Sequence, residues 1–180
     1  MDSITLSTSR LELIGMSAGF INQEFENYSK EQLIEKYMWN EDEYNRFHHI
    51  VIEGSHMYRM SMYAFHLYTK ENKRHIGECG LHTWNTKHHR SEIYYMLKSD
   101  EDKQKGYMSE ALNAILPFTF ETLNMHRIQA LIEPKNIASI TLAEKFNFQK
   151  EGMLRQDYLV DEVYEDSVCY SLLKHELKTY

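Results

Sequence analysis

Ser91-Glu92-Ile93-Tyr94-Tyr95-Met96-Leu97, followed shortly by Lys103-Gln104-Lys105-Gly106-Tyr107-Met108-Ser109, is the stretch on which the fold turns. In its first half Ile93, Tyr95 and Leu97 fall on one face and Glu92, Tyr94 and Met96 on the other, the alternation of a strand. Beyond it, Leu112, Ile115, Leu116 and Phe120 form an apolar stripe at helical spacing, so Met108 to Thr122 reads as a helix that Pro117 should kink. The loop between them lies where backbone amides at a helix start converge on a phosphate. Gly106 permits close approach or positive φ, and the neighbouring lysines add positive charge. A pyrophosphate would fit there, although such a loop taken alone is more often a solvated turn.

Working outward, Tyr63 to Tyr68 and His75 to Trp84 read as strands joined by the polar turn Lys70-Glu71-Asn72-Lys73. The turn Asn85-Thr86-Lys87-His88 leads from the second of these into Ser91 to Leu97. Nearer the start, Ser3 to Ile14 reads as a first strand. Ala18 to Tyr28 and Glu41 to Arg59 read as helices, the latter with Tyr44, Phe47, His48 and Val51 at helical spacing and Gly54 as an interruption. On the far side come a strand at Ile128 to Ile132, a helix at Ser139 to Phe146, and a strand pair at Tyr158 to Val160 and Val163 to Leu173. Antiparallel strands, helix, strand, helix and hairpin in that order indicate an α+β domain with a mixed sheet.

The chain has 180 residues, 42% hydrophobic and 26% charged, with only two prolines and seven glycines. No linker, repeat or low-complexity stretch divides it, so residues 1–180 read as one domain. No apolar run is long enough to cross a bilayer, and Met1 to Thr5 has neither the basic nor the apolar region of a secretory signal. A cytoplasmic protein is the expectation. Cys79 and Cys169 suit a reducing compartment and are expected as buried strand residues. The net charge of −7 argues against a nucleic-acid-coating surface and is compatible with a cationic amine as partner. Ten histidines are present. His48-His49, His56, His66, His75, His82 and His88-His89 are scattered without zinc-ligand spacing, so surface or packing roles and no metal are expected. The aromatic and methionine-rich run from Met57 to Tyr68 reads either as the lining of an acceptor pocket or as core.

Several blocks occur in linked order: Glu92 to Leu97, Gln104 to Leu112, Arg127-Ile128, Asn136-Ile137-Ala138-Ser139, Glu144 to Phe148, Glu151 to Arg155 and Tyr170 to Leu173. Together they closely resemble the GNAT superfamily of N-acetyltransferases, and within it the branch of ribosomal-protein (RimJ/RimL-type) enzymes. The resemblance runs from about Arg74 to Leu173 and implies the GNAT fold: a twisted, mostly antiparallel mixed sheet whose fourth and fifth strands splay apart, flanked by helices. Acetyl-CoA would lie in the resulting V, between Ser91–Leu97 and Ile128–Ile132. Residues 74–173 would then form the acetyl-CoA half and residues 15–70 the acceptor side. The pantetheine arm would pair with main chain near Met96 and Leu97. The pyrophosphate would meet the amides of Lys103, Gln104, Lys105, Gly106, Tyr107, Met108 and Ser109, and Asn136 would contact the cofactor. Lys103 stands where the family usually has Arg or Gln, Met108 where it has Gly or Ala, and Asn147 where it has Gly.

Amide formation from a thioester needs a neutral amine, a polarised carbonyl and a proton for the leaving thiolate. The resemblance implies direct attack by the amine in a ternary complex, with the Leu97 N–H polarising the carbonyl. Glu92 is a candidate base because it would point into the cleft. Asp157 is the other, because related ribosomal-protein enzymes carry a carboxylate near there. Either could equally be a solvated or salt-bridged carboxylate. Ser139 is the candidate partner for the thiolate, since Ala143 stands where many members use a Tyr acid; Asn136 and Ser139 also suit a helix start. The acceptor would be a protein N-terminal α-amine or a small-molecule amine, and a homodimer is compatible with the family. A catalytically silent acyl-CoA-binding module is the alternative.

Overall fold

The computed structural model describes residues 3–53 and 60–178. One sheet of eight strands crosses the molecule in the order β1-β2-β3-β4-β5-β6-β8-β7. Its first five strands are β1 (Ser3–Ser7), β2 (Leu11–Ser17), β3 (Met60–Thr69), β4 (His75–Asn85) and β5 (Arg90–Leu97), each antiparallel to the one before it. The parallel step is between β5 and β6 (Arg127–Ile132), after which β8 (Val163–Leu173) and β7 (Gln149–Val160) complete the sheet antiparallel. The α+β expectation holds, and the sheet is the mostly antiparallel mixed one anticipated.

Helices cover both faces. α4 (Tyr107–Glu121) and α5 (Ile137–Lys145) lie on one, where Leu112, Ile115, Leu116, Phe120 and Phe146 pack with Leu13, Phe65, Leu81, Ile93 and Ile128. α1 (Ala18–Asn27), α2 (Lys30–Tyr37) and α3 (Glu41–Glu53) lie on the other, where Ile21, Leu33, Trp39 and Phe47 pack with Met16, Met62 and Ala64. α4 supplies the central slab: eight of its residues are buried, and it runs without interruption past Pro117.

Four readings change. Ser3 to Ile14 is a hairpin rather than one strand, because Thr8-Ser9-Arg10 turns: the Thr8 N–H donates to the Leu11 carbonyl and the Thr8 hydroxyl accepts from the Leu11 N–H. α2 is an additional helix, started by a capping box in which Ser29 accepts from the Gln32 N–H while the Gln32 side chain accepts from the Ser29 N–H. β7 begins at Gln149 rather than Tyr158. Cys79 is buried, but Cys169 is only half-buried, because its strand lies next to the sheet edge. The end of the second predicted helix, with Gly54, His56 and Met57, falls outside the described residues. In the described part of the Met57–Tyr68 run, Tyr63, Phe65 and Leu67 are core residues facing α4, and Met62 and Ala64 face α1–α3.

Candidate active site

The parallel junction holds the site. β5 and β6 pair over three positions only, Arg90 with Arg127, Ser91 with Ile128 and Glu92 with Gln129, although β5 continues to Leu97 and β6 to Ile132. Beyond Glu92 the strands part.

What lines that gap follows from the ladder on the other side of β5. The Lys98 N–H donates to the Ile76 carbonyl at 2.9 Å, and the register pairs Leu97 with Gly77, Met96 with Glu78 and Tyr95 with Cys79. Antiparallel partners alternate between bonded and non-bonded pairs, so Glu92, Tyr94 and Met96 spend their N–H and C=O groups on β4. Tyr95 and Leu97 turn theirs towards β6, which is no longer there to take them. The gap therefore presents donors and acceptors at strand spacing, as an added strand or an amide-bearing ligand would need. Met96 contributes a half-exposed side chain at this edge, and its main chain faces Glu78.

At the open end of the gap α4 begins. Gly106 is its N-cap at φ 79, with no side-chain cap. The first intrahelical donor is Glu110, whose N–H reaches the Gly106 carbonyl at 2.9 Å, so the N–H groups of Tyr107, Met108 and Ser109 have no partner within the helix. Gln104 also has positive φ, at 59°. The lysines are partly engaged: Lys103 Nζ is 2.5 Å from Asp100 Oδ1, and the Lys105 carbonyl accepts from Arg10. Met108, atypical for its family position, is buried in the core beneath the loop, so its side chain leaves the amides uncovered.

Arg10 is a residue the sequence reading missed. Its guanidinium lies 4.6 Å from the centre of the Tyr107 ring and reaches Lys105 O at 3.0 Å and Glu110 Oε2 at 2.6 Å. Glu110 in turn accepts from the Thr8 hydroxyl, the Ser9 hydroxyl and the Arg10 N–H. Burial would raise this carboxyl, but the hydrogen bonds from Thr8, Arg10 and Ser9 outweigh it and hold the group down at about 2. The β1–β2 turn is thereby fastened to the first turn of α4.

α5 flanks the same gap. Asn136 is its N-cap and accepts from the Ser139 N–H at 3.1 Å, and the Tyr95 hydroxyl spans the opening to donate to the Ser139 carbonyl at 3.3 Å. Burial first of all pushes the Tyr95 hydroxyl up to about 12. Ser139 thus borders the α4–α5 face, whereas Glu92 lies on the α1–α3 face.

Glu92 is buried at the point where the strands part, with groups from three other strands around it. His82 Nε2 on β4 is 3.4 Å from Oε1, the Tyr158 hydroxyl on β7 donates to Oε1 at 3.2 Å, and the Gln129 amide on β6 donates to Oε2 at 3.5 Å. Asp157 is exposed on β7, and its neighbour Tyr158 is the one that reaches Glu92. His82, Gln129 and Tyr158 were not anticipated, because only the sheet brings them together.

A second polar cluster lies deeper on the same face. His66, His75 and Glu78 bring one ligand atom each within 4.8 Å of the others, a grouping that linear spacing hid. A cation already occupies it, since Arg46 donates to Glu78 Oε1 at 2.5 Å. Lys98 Nζ lies 3.2 Å from His75 Nδ1 and donates to Glu43 at 2.8 Å. Burial, with Lys98 beside it, lowers His75 to about 4; burial and the neighbouring His75 hold His66 well below its usual value. Arg46, Glu43, Glu78, Lys98 and Met96 also line an open cavity of about 310 Å³.

The model of the acetyltransferase (GNAT) domain matches residues 15–149. The chain belongs to the GNAT acetyltransferase family. The uncharacterized N-acetyltransferase p20 from Bacillus licheniformis is 38% identical over 112 residues, a match spanning 62% of this chain and 62% of that protein. Two crystal structures show the GNAT fold from end to end. The ribosomal-protein-S5-alanine acetyltransferase of Vibrio fischeri gives a TM-score of 0.68 at 17% identity, covering 97% of this chain and 99% of that one. The spermidine/spermine N-acetyltransferase SpeG of Vibrio cholerae gives 0.68 at 19% identity, covering 93% and 95%. Those likenesses speak for the fold.

Proposed function

We propose that this chain transfers an acetyl group from acetyl-CoA to a primary amine by direct attack in a ternary complex. The observation that carries the reading is the V after Glu92, edged by the unpaired main chain of Tyr95 and Leu97, with the uncapped start of α4 at its open end. Residues of suitable chemistry are present for each need of acetyl-CoA. Main-chain groups of Tyr95 and Leu97 suit the amides of a pantetheine arm. The N–H groups of Tyr107, Met108 and Ser109 suit a pyrophosphate, reinforced by the helix dipole. Asn136 and Lys103 to Gly106 border the same opening. When bound, the cosubstrate supplies the activated acyl group.

The remaining roles fall to the chain. Leu97 N–H faces the gap and would polarise the thioester carbonyl. Glu92 would take a proton from the amine, and Ser139 on α5 or solvent would return one to the thiolate. Asp157, exposed beside Tyr158, would act on the acceptor as it arrives rather than at the reacting bond. An α-amine with a pKa near 7.8 is neutral about once in ten molecules at pH 7, and a lysine-like amine near 10.4 only about once in 10³. A protein N-terminus and a polyamine are both within this chemistry, and relatives named as a putative ribosomal N-acetyltransferase of Bacillus subtilis and a spermidine N(1)-acetyltransferase of Escherichia coli support one each. The homodimer compatible with the family would have Leu159, Val163 and Tyr164, exposed on the β7–β8 hairpin, available to cover.

The test is thiol release from acetyl-CoA over a panel of peptides, polyamines and amino-acid derivatives, followed by product mass. A mass gain of one acetyl group on a primary amine is expected. Tight CoA binding without acetylation of any amine would instead mark a silent acyl-CoA-binding module.

A further inference from the structure

The Glu92 side chain is only 9% exposed, whereas that of His82 is 37% exposed. A proton arriving on this carboxylate therefore has no open route to water of its own, and its neighbours differ in what they can do with it. The Gln129 amide can only donate to it. The Tyr158 hydroxyl keeps its own proton, since burial and then the charge of Glu92 push it up to about 12. His82 alone among them carries two ring nitrogens, one facing Glu92 and the other free to pass a proton onward. It stands directly opposite Glu92 in the β4–β5 register, so its approach is set by the ladder. Its ring also packs against Tyr94, with centroids 5.7 Å apart. His82 thus meets Glu92 and Tyr94 on β5, and Tyr158 on β7 shares Glu92 Oε1 with it.

We propose that His82 is a positioning residue for Glu92 that carries the proton taken from the acceptor amine out to solvent. This rests on Glu92 as the base of the proposed acetyl transfer. One proton of the substrate ammonium passes to Glu92. The electron pair it leaves forms the C–N bond as the C–S bond of the thioester breaks, and a second amine proton ends on the thiolate. Glu92 then hands its proton to His82 Nε2, and the imidazolium releases one from Nδ1 to water. The balance is ammonium plus thioester giving amide, thiol and one proton to bulk water.

The experiment measures kcat and KM by thiol release as a function of pH for the wild type, H82Q, H82A and E92Q. CoA affinity by calorimetry shows which variants are folded, and H82Q serves if H82A is not. The expected result is a fall in kcat of about tenfold or more for H82Q, a share of what general-base catalysis supplies. KM for acetyl-CoA stays unchanged, the acidic limb of the pH profile moves, and added imidazole restores H82A. Wild-type kcat and pH profile in both histidine variants, with E92Q slow, overturn the inference and leave the acetyl-transfer reading standing. A fall in kcat with the profile unmoved and no response to imidazole also overturns it, because packing alone would explain that. E92Q as fast as the wild type removes the base and the relay together. A wild type that acetylates no amine overturns the reading itself, and the inference with it.

Discussion

Glu92 and Gly106 are the two residues on which the proposed chemistry leans hardest. Replacing Glu92 by Gln keeps the shape and removes the base, so kcat is expected to fall about 10²- to 10³-fold at pH 7. CoA affinity by calorimetry should be unchanged. The deficit should shrink as pH rises through the pKa of the amine, because the substrate then arrives already neutral; a deficit that is flat with pH would speak against a base. Gly106 holds φ 79, and the position of a Cβ there lies 3.6 Å from Arg10, an ordinary contact. The cost of Gly106→Ala is therefore conformational, about 1–2 kcal/mol. Thermal unfolding should show it, together with weaker CoA binding. Both residues were legible in the sequence, since Gly106 lies between a strand and a helix and Glu92 alternates out of an apolar face. His82, Gln129 and Tyr158 were not, because they meet Glu92 from three different strands. Arg10 was hidden for the same reason: it lies a hundred residues before its partner Glu110.

Among the elements, the tie between the β1–β2 turn and α4 has a pH signature. Glu110 is held near 2 in the folded chain against an ordinary carboxylate near 4.3, so its contribution is complete above the ordinary value and is lost as pH falls from there towards 2. Glu110→Gln should destabilise by about 1–3 kcal/mol at pH 7, and denaturant unfolding should show that difference shrinking towards zero as pH falls to about 2. The strand pair β4–β5 depends on Gly77 in another way: a Cβ there would come within 2.3 Å of the Met96 carbonyl oxygen. Gly77→Ala should cost about 1–3 kcal/mol by overpacking, and chemical denaturation would measure it. Legibility at this level followed burial. α4, with a buried face, was read almost to its ends. β7 is the edge strand and is exposed along nearly its whole length, so no alternation marked where it begins. α2 has only two buried residues to make a stripe, and its single clear sign was the Ser29–Gln32 cap.

For the molecule as a whole, the sheet is two leaves, β1–β5 and β6–β8, joined by three positions of parallel pairing. A ligand lying between them contacts both and stabilises the folded state in proportion to its affinity. At a hundredfold excess over Kd the gain is about 2.7 kcal/mol. Hydrogen exchange gives the sharper measurement: the Tyr95 and Leu97 amides should exchange quickly in the free protein and slow on addition of CoA, while those of Tyr94 and Met96, bonded to β4, should be slow in both. Equal behaviour of the two sets would contradict the V. The order of strands and helices indicated a mixed sheet, and the division within it was expected only through the resemblance of the linked blocks to the GNAT superfamily. Where the pairing stops is a matter of register, which alternation alone does not reveal.

On the proposed reading, the gap edged by Tyr95 and Leu97 holds its cargo through peptide groups, and peptide groups are the one part of a protein that drift in sequence leaves alone. Side chains around the opening can be exchanged, as Lys103 and Met108 illustrate, while the donors persist under almost any residue. Proline is the exception, for it deletes the N–H outright. A cradle of this kind tolerates wide variation around a constant cargo, leaving the opposite face of the sheet at liberty to be reshaped for one amine after another.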